Sequence, residues 1–217
     1  MFVSDTYGFI YLHVPKTAGL SLRLALRGLN GQCYVDYPRL HLNSTELRLT
    51  VGDKRWNNYY KFAFVRNPWD WNVSLFRFLM ENPRWLHLDQ YYKELPRDQL
   101  NEFVENLRRG GLDFWIRNSK WQYYTPTKDK PITQVSPYDW IKKPDRAEIN
   151  IFQFEKIDES MKKVSKEIGT NIDMPFFNTS MHEDYREYYR KDLVDYVHQC
   201  NIELIQDFKY EFGYGTD

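Results

Sequence analysis

The sequence predicts an α/β fold of three layers, a central and mainly parallel sheet flanked by helices, and three units predict it. Short apolar strand patterns at residues 9–14, 61–65 and 149–154 are each followed by a turn and then by apolar residues at helical spacing. Strands that alternate with helices in this way pair in parallel, because each helix supplies the crossover between two strands.

In the first unit, Phe9-Ile10-Tyr11-Leu12-His13-Val14 is aromatic and β-branched and too short for an ordinary helix, so it reads as a buried strand. Pro15 to Gly19 form a tight loop. Leu20 and Leu24, with Arg23 and Arg27, then fall at helical spacing, and Gly28 supplies a stop. In the second unit, "KFAFV" is the strand and "RNPWD" the turn, with Asn67 as cap and Pro68 at the first helical position, where its missing N–H costs nothing. Trp69, Val73, Phe76 and Leu79 or Met80 form the apolar side of a helix that stops near Asn82-Pro83.

Residues 84–125 are polar and aromatic, with a helical stretch around Leu100, Phe103, Val104 and Leu107 before Gly110-Gly111, and read as an insertion beside the sheet. The third unit is "INIFQF" followed by Ile157, Met161, Val164 and Ile168 ahead of Gly169. A last helix carries Leu193, Val197, Cys200, Leu204 and Phe208 on one face. The 217 residues make one domain, 1–217, ample for a sizeable core.

Thirty basic residues balance thirty acidic ones, so no whole-molecule field draws the chain to nucleic acid or to a membrane surface. Any anion site is therefore local. Aromatic residues make up 18% and are assigned to the core first. Cys33 and Cys200 lie far apart without metal-ligand spacing and read as two buried free thiols. With Met1 as the start, no leader and no membrane-length apolar run, the expected location is cytoplasmic.

In open α/β sheets ligands sit at the carboxyl ends of strands, and Lys16 and Arg66 both fall there. The first loop offers Lys16, the hydroxyls of Thr17 and Ser21, and the N–H groups of residues 17–21 at a helix start, which suits an anion. Lys16 precedes Gly19, the reverse of a Walker A order, and no strand ending in Asp supplies a Walker B; a kinase of related topology is the weaker alternative. Arg66, read as surface-facing, and Ser74, two turns into the next helix, suit a second phosphate.

"FIYLHVPKTAGLS" and "FAFVRNPWDWNVSLFRF" together resemble the two nucleotide-binding signatures of sulfotransferases that use 3′-phosphoadenosine 5′-phosphosulfate (PAPS), most of all the branch of carbohydrate sulfotransferases and their bacterial relatives. "RLHLNSTEL", "FQFEKIDESM", "PFFNTSMHEDYREYYRKDLVDYV" and "DFKYEFGY" are similar to further segments of that branch, in the same order. The resemblance implies a P-loop-NTPase-like sulfotransferase fold and PAPS as co-substrate, with no metal. It implies Lys16, Thr17, Ala18, Gly19, Leu20 and Ser21 around the phosphosulfate, and Arg66 and Ser74 on the 3′-phosphate. The acceptor is a glycan or a small molecule bearing a hydroxyl or amine, its groove formed in part by the aromatic section at 84–125.

Two departures stand out. Leu20 replaces a common second Thr and loses a hydroxyl while keeping its N–H. Trp71 replaces a common basic residue and marks an altered acceptor groove. Residues 178–189 are assigned to a loop over the adenine. Sulfuryl transfer, like phosphoryl transfer, runs in line through a loose transition state, so Lys16 is the group expected to meet charge on the bridging oxygen. An acceptor hydroxyl needs a base. Of His13, His41, His87, His182 and His198, His41 is the candidate, lying between the signatures in the His-x-Thr-like segment, with Glu46 and Asp36 as carboxylate alternatives. A non-catalytic module binding a nucleotide or glycan is the remaining alternative.

Overall fold

A computed structural model describes residues 1–27, 34–35, 41–122, 125–127, 129–173 and 183–213. In chain order the elements begin with β1 (Phe2–Ser4), β2 (Phe9–Leu12), α1 (Gly19–Arg27), β3 (Tyr34–Val35), α2 (Ser44–Val51), α3 (Asp53–Asn58), β4 (Tyr60–Val65) and α4 (Pro68–Glu81). They continue with α5 (Gln90–Glu94), α6 (Arg97–Asn118), α7 (Lys143–Arg146), β5 (Asn150–Gln153), α8 (Ile157–Ile168), α9 (Lys191–Cys200) and α10 (Ile202–Phe208). The chain divides into two compact units, Met1–Arg66 with Pro137–Thr179, and Asn67–Ser136 with Ser180–Asp217.

The first unit holds the whole sheet, in the order β3-β1-β2-β4-β5. β2 and β4 pair in parallel with Tyr11 opposite Phe62, and β4 and β5 in parallel with Phe64 opposite Phe152. β1 is antiparallel to both β2 and β3 at one side. Most of the ladder is parallel: β1, joined to β2 by a short turn, runs against its neighbours, whereas β3, reached through α1, runs in the same direction as β2, β4 and β5.

Alternation along β2 and β4 puts Phe9, Tyr11, Phe62 and Phe64 on one face, where they pack with Leu22, Ala25 and Leu26 of α1 and Met161, Val164 and Ile168 of α8. Burial of each such Phe contributes about 1.5–3 kcal/mol. Lys61 points the other way along β4 and reaches α3, donating to the Trp56 and Tyr59 carbonyl oxygens. α8 ends where the sequence expects, at Gly169, whose left-handed φ of 71° closes the helix at no steric cost.

One helical face differs from expectation. In α1 the buried residues are Leu22, Ala25 and Leu26, whereas Leu20 and Leu24 are exposed at 46% and 36%. "LSLRLALR" places leucines at every second position, so helical spacing alone cannot choose between the faces. The expected stop at Gly28 lies outside the described residues, as do Cys33, Asp36 and His182.

In the second unit Asn67 caps α4 as predicted, its side chain accepting from the Trp69 and Asp70 N–H groups, with Pro68 in the first turn. The apolar side holds Trp69, Val73, Phe76 and Leu79, and Asn82 ends the helix. The helical stretch around Leu100 breaks at its glycines, as expected: Gly111 leaves the helical region at φ 58° and ψ −147°, so that α6 is two helices meeting at a kink. The last helix is two helices. Asn201, buried, breaks it by turning its side-chain amide to the Val197 carbonyl oxygen at 2.8 Å. Cys200, beside the break, is half-buried and in no disulfide, a correction to the fully buried thiol expected. Among the described residues no helix is long and apolar enough to cross a membrane.

Candidate functional site

The site grows from the carboxyl ends of β2 and β4. After Leu12 the chain leaves the sheet through His13 and Val14, and the loop that follows contains two non-glycine residues in left-handed backbone, Lys16 at φ 63° and Ala18 at φ 58°. Each such residue costs about 1–2 kcal/mol, a strain that collects at binding sites. Alternation of hand around Thr17 curls successive N–H groups into a concavity that attracts anions. The N–H groups of the first turn of α1, which have no partner within the helix, open beside it.

Thr17 is fully buried and its hydroxyl donates to the Val14 carbonyl oxygen at 2.7 Å. The hydroxyl proton thus closes the loop on itself. Ser21 is buried in the first turn of α1, and Leu20 is exposed at its start. Lys16 and Ala18 are half-buried.

Arg66 follows β4 and is buried, with 7% of its surface exposed, where a surface-facing side chain was expected. Its Nη1 donates to the Lys16 carbonyl oxygen at 3.2 Å, and its guanidinium carbon lies 4.7 Å from the centre of the Phe154 ring. Phe154, one residue past β5, was not singled out by sequence; the signal was its place just beyond the third strand's carboxyl end. Ser74 is buried within α4, in the second unit.

The histidines sort clearly. His41 is half-buried and 4.5 Å, centre to centre, from the ring of His13. Its Nδ1 lies 3.3 Å from the His13 carbonyl oxygen, an acceptor, so Nδ1 is the donor. Burial, opposed by that hydrogen bond and assisted by the positive charges of the amino terminus, Arg23 and Lys16, pushes the His41 pKa down to about 3. The ring is neutral at ordinary pH, the state a proton acceptor needs. His13 is buried, and burial together with His41 and the same positive charges holds its pKa well below the usual value. His198 is exposed and stacks on Trp69 within the second unit; the His87 side chain lies outside the described residues.

The carboxylate alternative at Glu46 is engaged elsewhere. Glu46 completes a capping box at the start of α2, its side chain accepting from the Asn43 N–H while Asn43 accepts from Glu46 N–H. The next residue, Ser44, donates to Asp145 at 2.6 Å and accepts from the Lys142 N–H at 2.9 Å. Two independent anchors therefore fix the chain immediately after His41.

Trp71 is fully buried in α4, so the departure there is a core residue and does not line a groove. Of the adenine-loop assignment, residues 178–182 lie outside the described residues. Tyr185 and Tyr189 pack within the second unit, donating to the Phe212 and Trp69 carbonyl oxygens. Among the described residues no group of three or more His, Cys, Asp and Glu side chains forms a metal site.

Comparison with family models gives one match, the sulfotransferase family, over residues 1–210. No curated protein and no solved structure matches the chain.

Proposed function

Since the chain belongs to the sulfotransferase family and is a sulfotransferase enzyme, we propose that its donor is PAPS, the co-substrate that family generally uses, and its acceptor a hydroxyl or amine of a sugar or glycan. The three-layer, P-loop-NTPase-like arrangement of a single sulfotransferase domain is part of the same reading.

The observation that carries it is the loop of residues 15–19. Its left-handed Lys16 and Ala18 curl the backbone into an anion cradle, and the Arg66 guanidinium adjoins it through the Lys16 carbonyl oxygen. A cradle of N–H groups with a Lys and an Arg at its rim fits a ligand carrying two separate phosphates. PAPS bound there supplies an activated sulfuryl group on a phosphosulfate anhydride.

The chain's own residues then divide the work. Lys16 meets the negative charge that collects on the bridging oxygen, and the N–H groups of residues 17–21 hold the phosphosulfate oxygens without reorganising. Arg66, backed by Phe154, takes the 3′-phosphate with its planar fork. His41, neutral and anchored, takes the acceptor's proton as its oxygen or nitrogen bonds to sulfur.

Titration calorimetry with adenosine 3′,5′-bisphosphate tests the donor assignment. Binding that survives a chelator and is weakened roughly tenfold or more by loss of the 3′-phosphate is expected. Preference for ATP with magnesium over the bisphosphate would move the chain to the kinase alternative.

A further inference from the structure

His13 occupies a position that the proposed chemistry does not use. It is the first residue beyond β2, and its ring is clasped from three sides. Tyr11 stacks on it at 5.8 Å, His41 tilts against it at 4.5 Å, and Gly19 of the loop lies against its far edge. A methyl group at Gly19 would come within 1.7 Å of Nε2, 2.1 Å of Cε1 and 2.6 Å of Cδ2, so the ring fills the space where any other residue would carry its side chain. The helix start approaches this closely only because residue 19 is glycine. Nδ1 of His13 is buried and has no hydrogen-bond partner among the described residues, an arrangement that is costly and that a plain packing residue such as Phe would avoid.

We propose that His13 is a positioning residue for the transfer step: its carbonyl oxygen holds the His41 proton on Nδ1, so that Nε2 is the basic nitrogen, and its ring wedges His41 and the Gly19 loop into one rigid assembly that keeps water from the His41 ring. This deepens the assignment of His41 as base and rests on it. The carbonyl does the first task because an acceptor-only group at Nδ1 selects one tautomer of a neutral imidazole. The ring does the second because removing it would open a cavity between Gly19 and His41, large enough to admit solvent beside two polar rings. Among the described residues, the charged groups that face His41 in this arrangement are the amino terminus, Arg23 and Lys16, all positive, and the neighbouring titratable ring is His13 itself.

The test reads the His41 ring directly and needs no acceptor. Long-range proton–nitrogen NMR correlations of the histidine rings are recorded between pH 5 and 8 for the wild type, His13→Ala and His13→Phe, with His41→Ala assigning the resonance. The wild type is expected to show His41 as a neutral Nδ1–H tautomer that does not titrate in this range. In His13→Ala the His41 pKa should move up by about two units or more as water enters, so that titration becomes visible at the acidic end of the range. In His13→Phe the wedge is kept and His41 should stay neutral. A wild-type Nε2–H tautomer, or a folded His13→Ala protein in which His41 is unchanged, overturns the proposal. So does a His13→Phe protein that behaves as His13→Ala does, because the wedge would then not be what shields His41. These outcomes stand apart from the assignment of His41 as base, which fails separately if His41→Ala retains full sulfuryl transfer.

Discussion

The guanidinium of Arg66 donates to the carbonyl oxygen of Lys16 at 3.2 Å, tying the end of β4 to the loop after β2. One side chain thus links the two sequence signatures. It also means that Arg66 holds the loop in addition to its proposed contact with the 3′-phosphate, so substitutions there carry two effects. Arg66→Lys keeps the charge and loses the fork, and should reduce the preference for adenosine 3′,5′-bisphosphate over adenosine 5′-phosphate by roughly ten- to a hundredfold. Arg66→Ala should in addition lower the unfolding temperature, because the guanidinium is buried over Phe154. Calorimetry and thermal unfolding on both variants check this; undiminished discrimination in Arg66→Lys would remove Arg66 from the 3′-phosphate.

Lys16 is assigned to charge that is absent from the bridging oxygen of PAPS and builds up there as the sulfur–oxygen bond breaks. Lys16→Ala should therefore lower turnover by roughly a hundredfold or more while weakening bisphosphate binding much less. Single-turnover rates and product affinity, measured side by side, separate the two. Equal losses in both would make Lys16 a binding residue only.

The pH dependence follows from the lowered His41 pKa. A base with a pKa of about 3 is already unprotonated through pH 5 to 8, so turnover should show no acidic limb from this group in that range. His41→Ala should reduce turnover by roughly a hundred- to ten-thousandfold at every pH in the window. A wild-type rate that falls with a midpoint near pH 6.5 and loses that midpoint in His41→Ala would show that His41 titrates normally.

The same depression has a stability consequence. Folded His13 and His41 bind fewer protons than their unfolded counterparts below about pH 6.5, so stability is full above that pH and falls as the solution is acidified. Each contributes a slope of up to about 1.4 kcal/mol per pH unit. Urea unfolding at pH 7, 6 and 5 should show this decline, and His41→Ala should flatten it; a wild-type midpoint constant across the range contradicts the burial of these rings.

Asp145 anchors the His41 segment from a distance in sequence, accepting from the Ser44 hydroxyl at 2.6 Å while buried. Asp145→Ala should destabilise the protein by about 1–3 kcal/mol. Chemical denaturation measures it, and an unchanged midpoint would show that Asn43 and Glu46 hold the segment alone.

Local chemistry made much of this legible in the sequence. Asn67-Pro68 states a helix start, Gly169 a helix end, and the run from Phe9 to Ser21 a strand, a tight loop and a helix, because each rests on neighbouring residues. What escaped depends on partners far along the chain. The leucines of α1 fit two faces, and only the Phe62 and Phe64 side of the sheet chooses Leu22 over Leu20. Asn201 breaks an otherwise continuous apolar stripe through one side-chain hydrogen bond. Arg66 looked like a solvent-facing residue until Phe154 covered it, and the fit of His13 against Gly19 and His41 has no counterpart in spacing.

The measurement that bears most directly on the function is transfer of label from PAPS carrying sulfur-35 to a panel of sugar and glycan acceptors. The account predicts a labelled product with at least one acceptor, formed with stoichiometric adenosine 3′,5′-bisphosphate and strongly reduced in Lys16→Ala and His41→Ala. A wild-type protein that binds the bisphosphate tightly yet transfers label to none of these acceptors, or transfers it equally well in both variants, would contradict it.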